Sequence, residues 1–512
     1  MGSTEKTKLN DVGLVKCPFN NNGGIEQHQA NGTPAGKLTT AGNMTSPPGP
    51  RGVPVFGQAF NLDMDHMHLT FMEWQKRFGD MFMFKILGKH FMVVSHPDIL
   101  RKLFATCEHA NAFNDRAHSF MNKYVIHNSK DILFRNMDDK QQFLKNAATN
   151  FFENQLVEEK WFYSAVTDEI RLLVSEIECL IDREVDIIGI MDKLVIKIMG
   201  LVLTGNRITE SSREFDSLAG FIVPANELAT VKNASVLTKL PMLRKVPGKL
   251  KNLYDALEAK KNDLREVFLN GTGQCERGLV FMLRNLRVTM GMEGGESWID
   301  DDFIMGVVMD LIPAAILPLQ NILSVLFLVL VHHPEVQNKI RGELTSLNAD
   351  VRIDDIMKLP YIDACILELK RFHTPLPVSA RHCNRSGDAM FENYNIPKNT
   401  EIFSNLFGIH HDERFFNDPW SYKPERFIAE DGSRVGPEHP VMKNMVVMGV
   451  GPRRCVGSTF SEKVMFLVVT ILMKNFRLCS NRQQELPPCD PRKFTSGIVT
   501  KAPDFKCVFQ PA

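Results

Sequence analysis

Residues 448–457 read Met-Gly-Val-Gly-Pro-Arg-Arg-Cys-Val-Gly, and an apolar helix pattern follows from Phe460 to Phe476. A chain carrying this stretch has to deliver one cysteine, on a glycine-rich loop, to the start of a helix. Backbone N–H groups and the helix macrodipole favour an anionic sulfur there. Gly449, Gly451 and Gly457 let the backbone approach a flat ligand closely. Arg453, two residues before Cys455, can pair with an anionic group of that ligand. Taken alone, the same loop also reads as a buried structural cysteine ahead of a helix.

The other cysteines do not compete for this role. Ten are scattered along 512 residues with no CxxC pair, so neither a disulfide scaffold nor a cysteine-paired metal site is indicated. Lys plus Arg and Asp plus Glu balance at 60 each, which argues against nucleic acid as a partner. Apolar residues make up 44% of the chain, enough for a substantial core. Phe and Met are plentiful at 35 and 25; they suit an apolar ligand cavity or ordinary core packing. The most apolar stretch, Phe303 to Val331, is interrupted by Asp310, Pro313, Pro318, Gln320 and Asn321. It reads as a helix buried in protein rather than one in lipid.

Residues 1–45 are polar and rich in Gly, Asn and Thr, and their composition predicts a flexible segment. Pro47-Pro48-Gly49-Pro50 marks the start of the folded body, 46–512. Met81 to Ser95 reads as a β-hairpin around Leu87-Gly88-Lys89. Helical periodicity covers Phe162 to Ile181, Leu253 to Leu269 and Pro334 to Leu344. Short strand signals lie near Phe391 to Ile402 and Cys507 to Phe509. The expected fold is mainly α: one large helical domain with small β-sheets at its edges.

The 448–457 decamer resembles the cysteine-ligand loop of the cytochrome P450 family, Phe-x-x-Gly-x-Arg-x-Cys-x-Gly, with Met448 in the place of Phe. Glu368-Leu369-Lys370-Arg371 resembles the family's Glu-x-x-Arg helix motif, and Pro424-Glu425-Arg426-Phe427 its Pro-Glu-Arg-Phe segment. The order and spacing of the three are those of the family, nearest its animal microsomal branch. The resemblance implies haem b as cofactor, Cys455 as axial ligand of the iron, and a buried charge network of Glu368, Arg371 and Arg426. It also implies a lipophilic small-molecule substrate and an NADPH–cytochrome P450 reductase as electron donor. Arg381, after Pro375-Leu376-Pro377, stands where the family places a propionate-binding residue. The family's Trp-x-x-x-Arg is absent: Lys140 to Leu144 occupy its place, and Lys140 and Lys145 read either as substitutes for it or, preferentially, as a solvated helix face.

One departure bears on chemistry. The family's central helix carries an acid and a Thr that manage proton delivery on the oxygen side. The matching segment here is Ala314-Ala315-Ile316-Leu317-Pro318-Leu319, with Leu317 for the acid and Pro318 for the Thr. Neither side chain can relay a proton. Pro318 also removes a backbone donor and frees the Ala314 carbonyl, and Pro313 does the same for Met309. Three readings follow. The first is an O2-dependent monooxygenase with an altered proton route. The second is an oxygen-independent isomerase or dehydratase acting on a hydroperoxide or aldoxime. The third is a haem-binding protein with little turnover.

By the same resemblance, substrate contacts fall within Ala112 to Ile126, Phe221 to Leu240, the helix near Ala314, Leu376 to Ser379, and Thr495 to Val499. Lys239, Arg244, Lys245, Lys249 and Lys251 alternate with Leu240, Leu243, Val246 and Leu250. This run suits either peripheral contact with an anionic membrane or a solvated helix face. No apolar stretch of anchor length precedes Pro47, which leaves the cytoplasm or the cytoplasmic face of the endoplasmic reticulum as expected locations.

Overall fold

The helix Asp301–His332 organises the molecule. Its start is set by Asp300, whose carboxylate accepts the Phe303 N–H at 2.8 Å, and Asp301 and Asp302 complement the positive end of the helix dipole. Pro334 opens the next helix, Pro334–Leu344, immediately after the His333 cap. In this computed structural model, residues 45–512 are described apart from 157–159, 272–275, 293–296, 348–350, 482–484 and 496. The segment expected to be flexible, 1–45, therefore lies outside them up to residue 44.

The central helix is long and apolar enough, by composition, to cross a membrane, but most of it is buried within the protein, as expected for the interrupted apolar stretch. It packs against helices Ile187–Thr204, Arg213–Ala229, Gly278–Met292 and Pro360–His373. Its side chains form the middle of the largest apolar cluster, with Val195, Leu201, Ile366 and Leu467 among the partners. The helix runs through Pro313 and Pro318 without interruption.

Small sheets flank this helical body. Strands β1 (Met81–Ile86) and β2 (Lys89–Val94) pair as the expected hairpin, with Leu87 and Gly88 at positive φ in the two-residue turn. With β3 (Asp115–Arg116), β5 (His382–Cys383) and β8 (Glu401–Ser404) they make a five-stranded sheet ordered β1-β2-β8-β5-β3. Strand β4 (Glu184–Asp186) joins β10 (Lys506–Pro511) and β9 (Phe476–Cys479), and β6 (Ala389–Phe391) pairs with β7 (Tyr394–Ile396).

Two readings of the sequence change in the fold. The pattern at Leu253 to Leu269 belongs to a helix Lys249–Arg265 that widens into a π turn over Glu266–Gly271. The basic and apolar run at 239–251 is no single helix face. It forms a corner between helices Val231–Lys239 and Lys249–Arg265, with a 3-10 turn at Pro241–Lys245. Leu240, Met242 and Val246 are exposed on this corner, while Arg244 lies over the ring of Tyr124 at 4.1 Å.

Candidate functional site

The cysteine loop is closed before the helix begins. The Cys455 N–H donates to Met448 O at 2.9 Å, and Arg454 N–H to Gly451 O at 3.0 Å. The helix that follows is Ser458–Asn475, with Gly457 as its cap. Gly451 has φ +68°, and a Cβ there would lie 2.4 Å from Phe104 O; the loop is pressed onto the end of helix Pro97–Ala105. Gly451 thus approaches protein rather than a ligand. A Cβ at Gly449 would meet nothing nearer than 3.8 Å, and one at Gly457 nothing within 4 Å.

Cys455 is exposed, yet burial is the first cause that pushes its thiol above the ordinary cysteine value. The two observations fit together if the sulfur lies on an internal wall, open to a small molecule but enclosed by protein. The helix-start effect expected from the sequence is present, because the Gly457 N–H acts to lower the pKa, as do Lys370, Lys145 and Arg454. Desolvation outweighs them. A metal cation at the sulfur reverses that balance, since a coordinating thiol is deprotonated outright.

Arg453 does not project freely. Its guanidinium donates to Asn114 O at 3.0 Å, Ile132 O at 3.1 Å and Arg135 O at 2.5 Å. It therefore clamps the segment between β3 and helix Asp139–Asn150 to the loop. Arg116 lies near it, fully desolvated, donating to Leu133 O at 2.8 Å and Ala380 O at 2.9 Å. Burial first, and then the charge of Arg453, lower Arg116 to about 9. Two carboxylates answer these cations. Asp310 on the central helix accepts the Leu133 N–H at 2.9 Å, and Asp131 accepts that of Phe134 at 2.5 Å. Burial holds both carboxyls above the usual range, Asp131 at about 6.

Arg381 is half-buried and pairs with the buried Glu401 at 2.8 Å. Lys140 lies on the solvent side over Trp298, as a surface lysine. Lys145 departs from the solvated reading. It contacts Pro452 O in the cysteine loop, and burial first, with Arg453 second, lowers it to about 8. Sequence reasoning missed Arg116 and Asp131, because no periodicity or motif marks them. Their burial arises only when the 114–135 segment folds against the loop and the central helix.

Behind the loop, Glu368 and Arg371 are both fully buried on helix Pro360–His373. Arg371 makes a bidentate pair with Glu368 at 2.7 and 2.8 Å, and its remaining N–H groups reach His410 O and Pro419 O at 2.8 Å each. Arg426 stands 3.0 Å from Glu368 and donates to Asn417 O at 2.8 Å. The i, i+3 spacing puts the first pair on one helix face, and the 424–427 turn brings the third member.

On the central helix, the segment Ala314, Ala315, Leu317, Pro318 presents no polar side chain. Ala314 is exposed in the middle of an otherwise buried helix, and Pro313, Ala315 and Pro318 are half-exposed beside it; Leu317 is buried. Like Cys455, Ala314 is exposed. The described cavities of about 210 and 360 Å³ lie elsewhere, beside Thr204 to Ser212 and between helix Lys160–Glu178 and helix Ile187–Thr204.

A large helical domain that closes one cysteine into a loop, backs it with a buried charge network and sets a long core helix among its walls is that of a haem-thiolate enzyme. The cytochrome P450 family model matches residues 47–509. Animal relatives span nearly the whole length. Cytochrome P450 2D27 of Mesocricetus auratus is 24% identical over 478 residues, covering 90% of this chain and 92% of the relative. Human cytochrome P450 1B1 is 24% identical, covering 90% and 86%. Steroid 17-alpha-hydroxylase/17,20 lyase of Rana dybowskii is 25% identical, covering 91% and 90%. The chain belongs to the cytochrome P450 family, on its animal microsomal branch. It is an enzyme of the haem-thiolate monooxygenase class, with haem b and its iron as cofactor.

Proposed function

We propose that Cys455 ligates the haem iron, and that the enzyme inserts one oxygen atom from O2 into a lipophilic small molecule with electrons from NADPH through a reductase. The observation that carries this reading is Cys455, exposed at the end of its closed loop while desolvation raises its thiol. When bound, the haem supplies the redox and oxygen chemistry that no side chain here can provide. The chain's own residues hold and shield it. Arg453 and Arg116 form a buried cationic corner able to take the anionic edge of the cofactor, and Arg381, set by Glu401, adds a third cation. Ala314, Ala315, Leu317 and Pro318 make an apolar wall suited to a lipophilic substrate on the oxygen side.

The absence of an acid and a hydroxyl on that wall favours a second reading, in which a hydroperoxide or aldoxime is rearranged without O2 or reductase. Product analysis with and without reductase and NADPH separates the two. We expect product only when both are supplied. Rapid turnover of a hydroperoxide or aldoxime in their absence overturns the monooxygenase reading. Haem uptake without product on either panel supports a binding protein instead.

Arg453 can be tested separately. Each charge-assisted hydrogen bond to a propionate contributes about 1.5–3 kcal/mol, so Arg453→Ala should release haem on the order of tenfold to a hundredfold faster. The spectrum of the remaining holoprotein should keep its thiolate form. Haem transfer to an apoglobin scavenger measures the rate; an unchanged rate rules Arg453 out of the cradle.

A further inference from the structure

Residues 313–318 of the central helix carry no polar side chain, so the polar groups of this segment belong to the backbone. Pro318 has no N–H, so the Ala314 carbonyl, four residues earlier, lacks its donor in the helix ladder. Ala314 is the exposed residue of this helix apart from the termini Asp301 and His332. Two of the polar side chains further along the helix are committed to other carbonyls. Asn321 donates to Leu317 O at 2.7 Å, and Ser324 to Gln320 O at 2.8 Å. Pro313 frees the carbonyl of Met309 in the same way, but Met309 is fully buried and offers nothing to a ligand. The flanking Pro313, Ala315 and Pro318 carry no hydrogen-bonding side-chain atoms.

We propose that the Ala314 carbonyl is the polar anchor of the ligand cavity, selecting ligands with an O–H or N–H donor over their methylated analogues. The inference rests on the functional reading above, which puts the cavity between this helix and the Cys455 loop. A carbonyl oxygen only accepts, so alcohols, oximes, hydroperoxides and N–H azoles can satisfy it, whereas ethers and N-methyl azoles cannot. A desolvated carbonyl left without a donor is unfavourable, which gives the preference its sign.

The test uses the haem-loaded full chain and three probes that bind ferric iron directly: imidazole, 4-methylimidazole and 1-methylimidazole. Affinities are read from the shift of the haem absorption band. The two N–H azoles should bind about three- to tenfold more tightly than 1-methylimidazole, the range of one neutral hydrogen bond. Pro318→Ala restores the helix N–H to the Ala314 carbonyl and should bring the ratio to about one. Pro313→Ala repairs the buried Met309 site and should leave the ratio as in the native enzyme. Pro318→Leu provides the same backbone N–H should the Ala variant lose haem. A ratio that is unchanged in the Pro318 variants, or that collapses equally in Pro313→Ala, overturns the proposal while the haem assignment stands. A native chain that takes up no haem and gives no azole shift overturns the functional reading, and this inference with it.

Discussion

Cys455→Ser should abolish the thiolate-type spectrum of the ferrous CO complex and reduce reductase-dependent turnover to background. The serine hydroxyl is isosteric enough to keep the loop, because the bond from residue 455 N–H to Met448 O and the packing of Gly451 on Phe104 involve backbone atoms alone. What changes is the donor. A thiolate pushes electron density onto iron and thereby favours O–O cleavage, and a neutral hydroxyl cannot replace it. The folded state should survive, so circular dichroism and thermal unfolding should resemble the native enzyme while the spectrum does not. Persistence of the thiolate signature in Cys455→Ser would place another residue on the metal.

The second large effect lies behind the loop. Glu368→Ala leaves Arg371 buried with its main counter-charge gone and Arg426 without its carboxylate partner. Breaking such a pair from one side costs about 3–5 kcal/mol, a large part of the roughly 5–15 kcal/mol that holds a typical domain together. We expect a chain that unfolds at much lower denaturant or accumulates without haem. Glu368→Gln should fall between, since the amide retains an acceptor for the Lys423 N–H but not the charge. Denaturant unfolding of the holoprotein measures the change. A loss below about 1 kcal/mol would mean that the His410, Pro419 and Ser421 carbonyls around Arg371 suffice without the carboxylate.

How far the site was legible depended on the kind of signal. The hairpin at Met81 to Val94 was readable because two short apolar runs around a Leu-Gly turn are local signals. Helix Pro334–Leu344 was readable because a proline start and 3.6-residue periodicity act within one element. Lys145 was misread for the complementary reason. Nothing beside it in sequence signals burial, whereas its contact with Pro452, 307 residues away in the chain, forms only in the folded state. Arg116 gave no signal at all, since its carbonyl partners at 133 and 380 come from separate segments. The run at 239–251 suited either a membrane contact or a helix face, because basic and apolar residues interleave alike on a helix and at the bend that forms there.

The chain's linear order by itself determined the family motifs, the loop that carries Cys455, and a central helix with Leu317 and Pro318, neither of which can relay a proton. Those are matters of covalent identity, and no packing can give Leu317 or Pro318 an acidic proton. Tertiary structure decided which of the named groups lie in water and which do not. It raised the Cys455 thiol where the helix start alone would lower it, enclosed Arg116 with two buried carboxylates, and left Ala314 open in the middle of a buried helix. Desolvation is set by atoms distant in the chain, and it outweighs the local dipole and hydrogen-bond terms that a sequence displays.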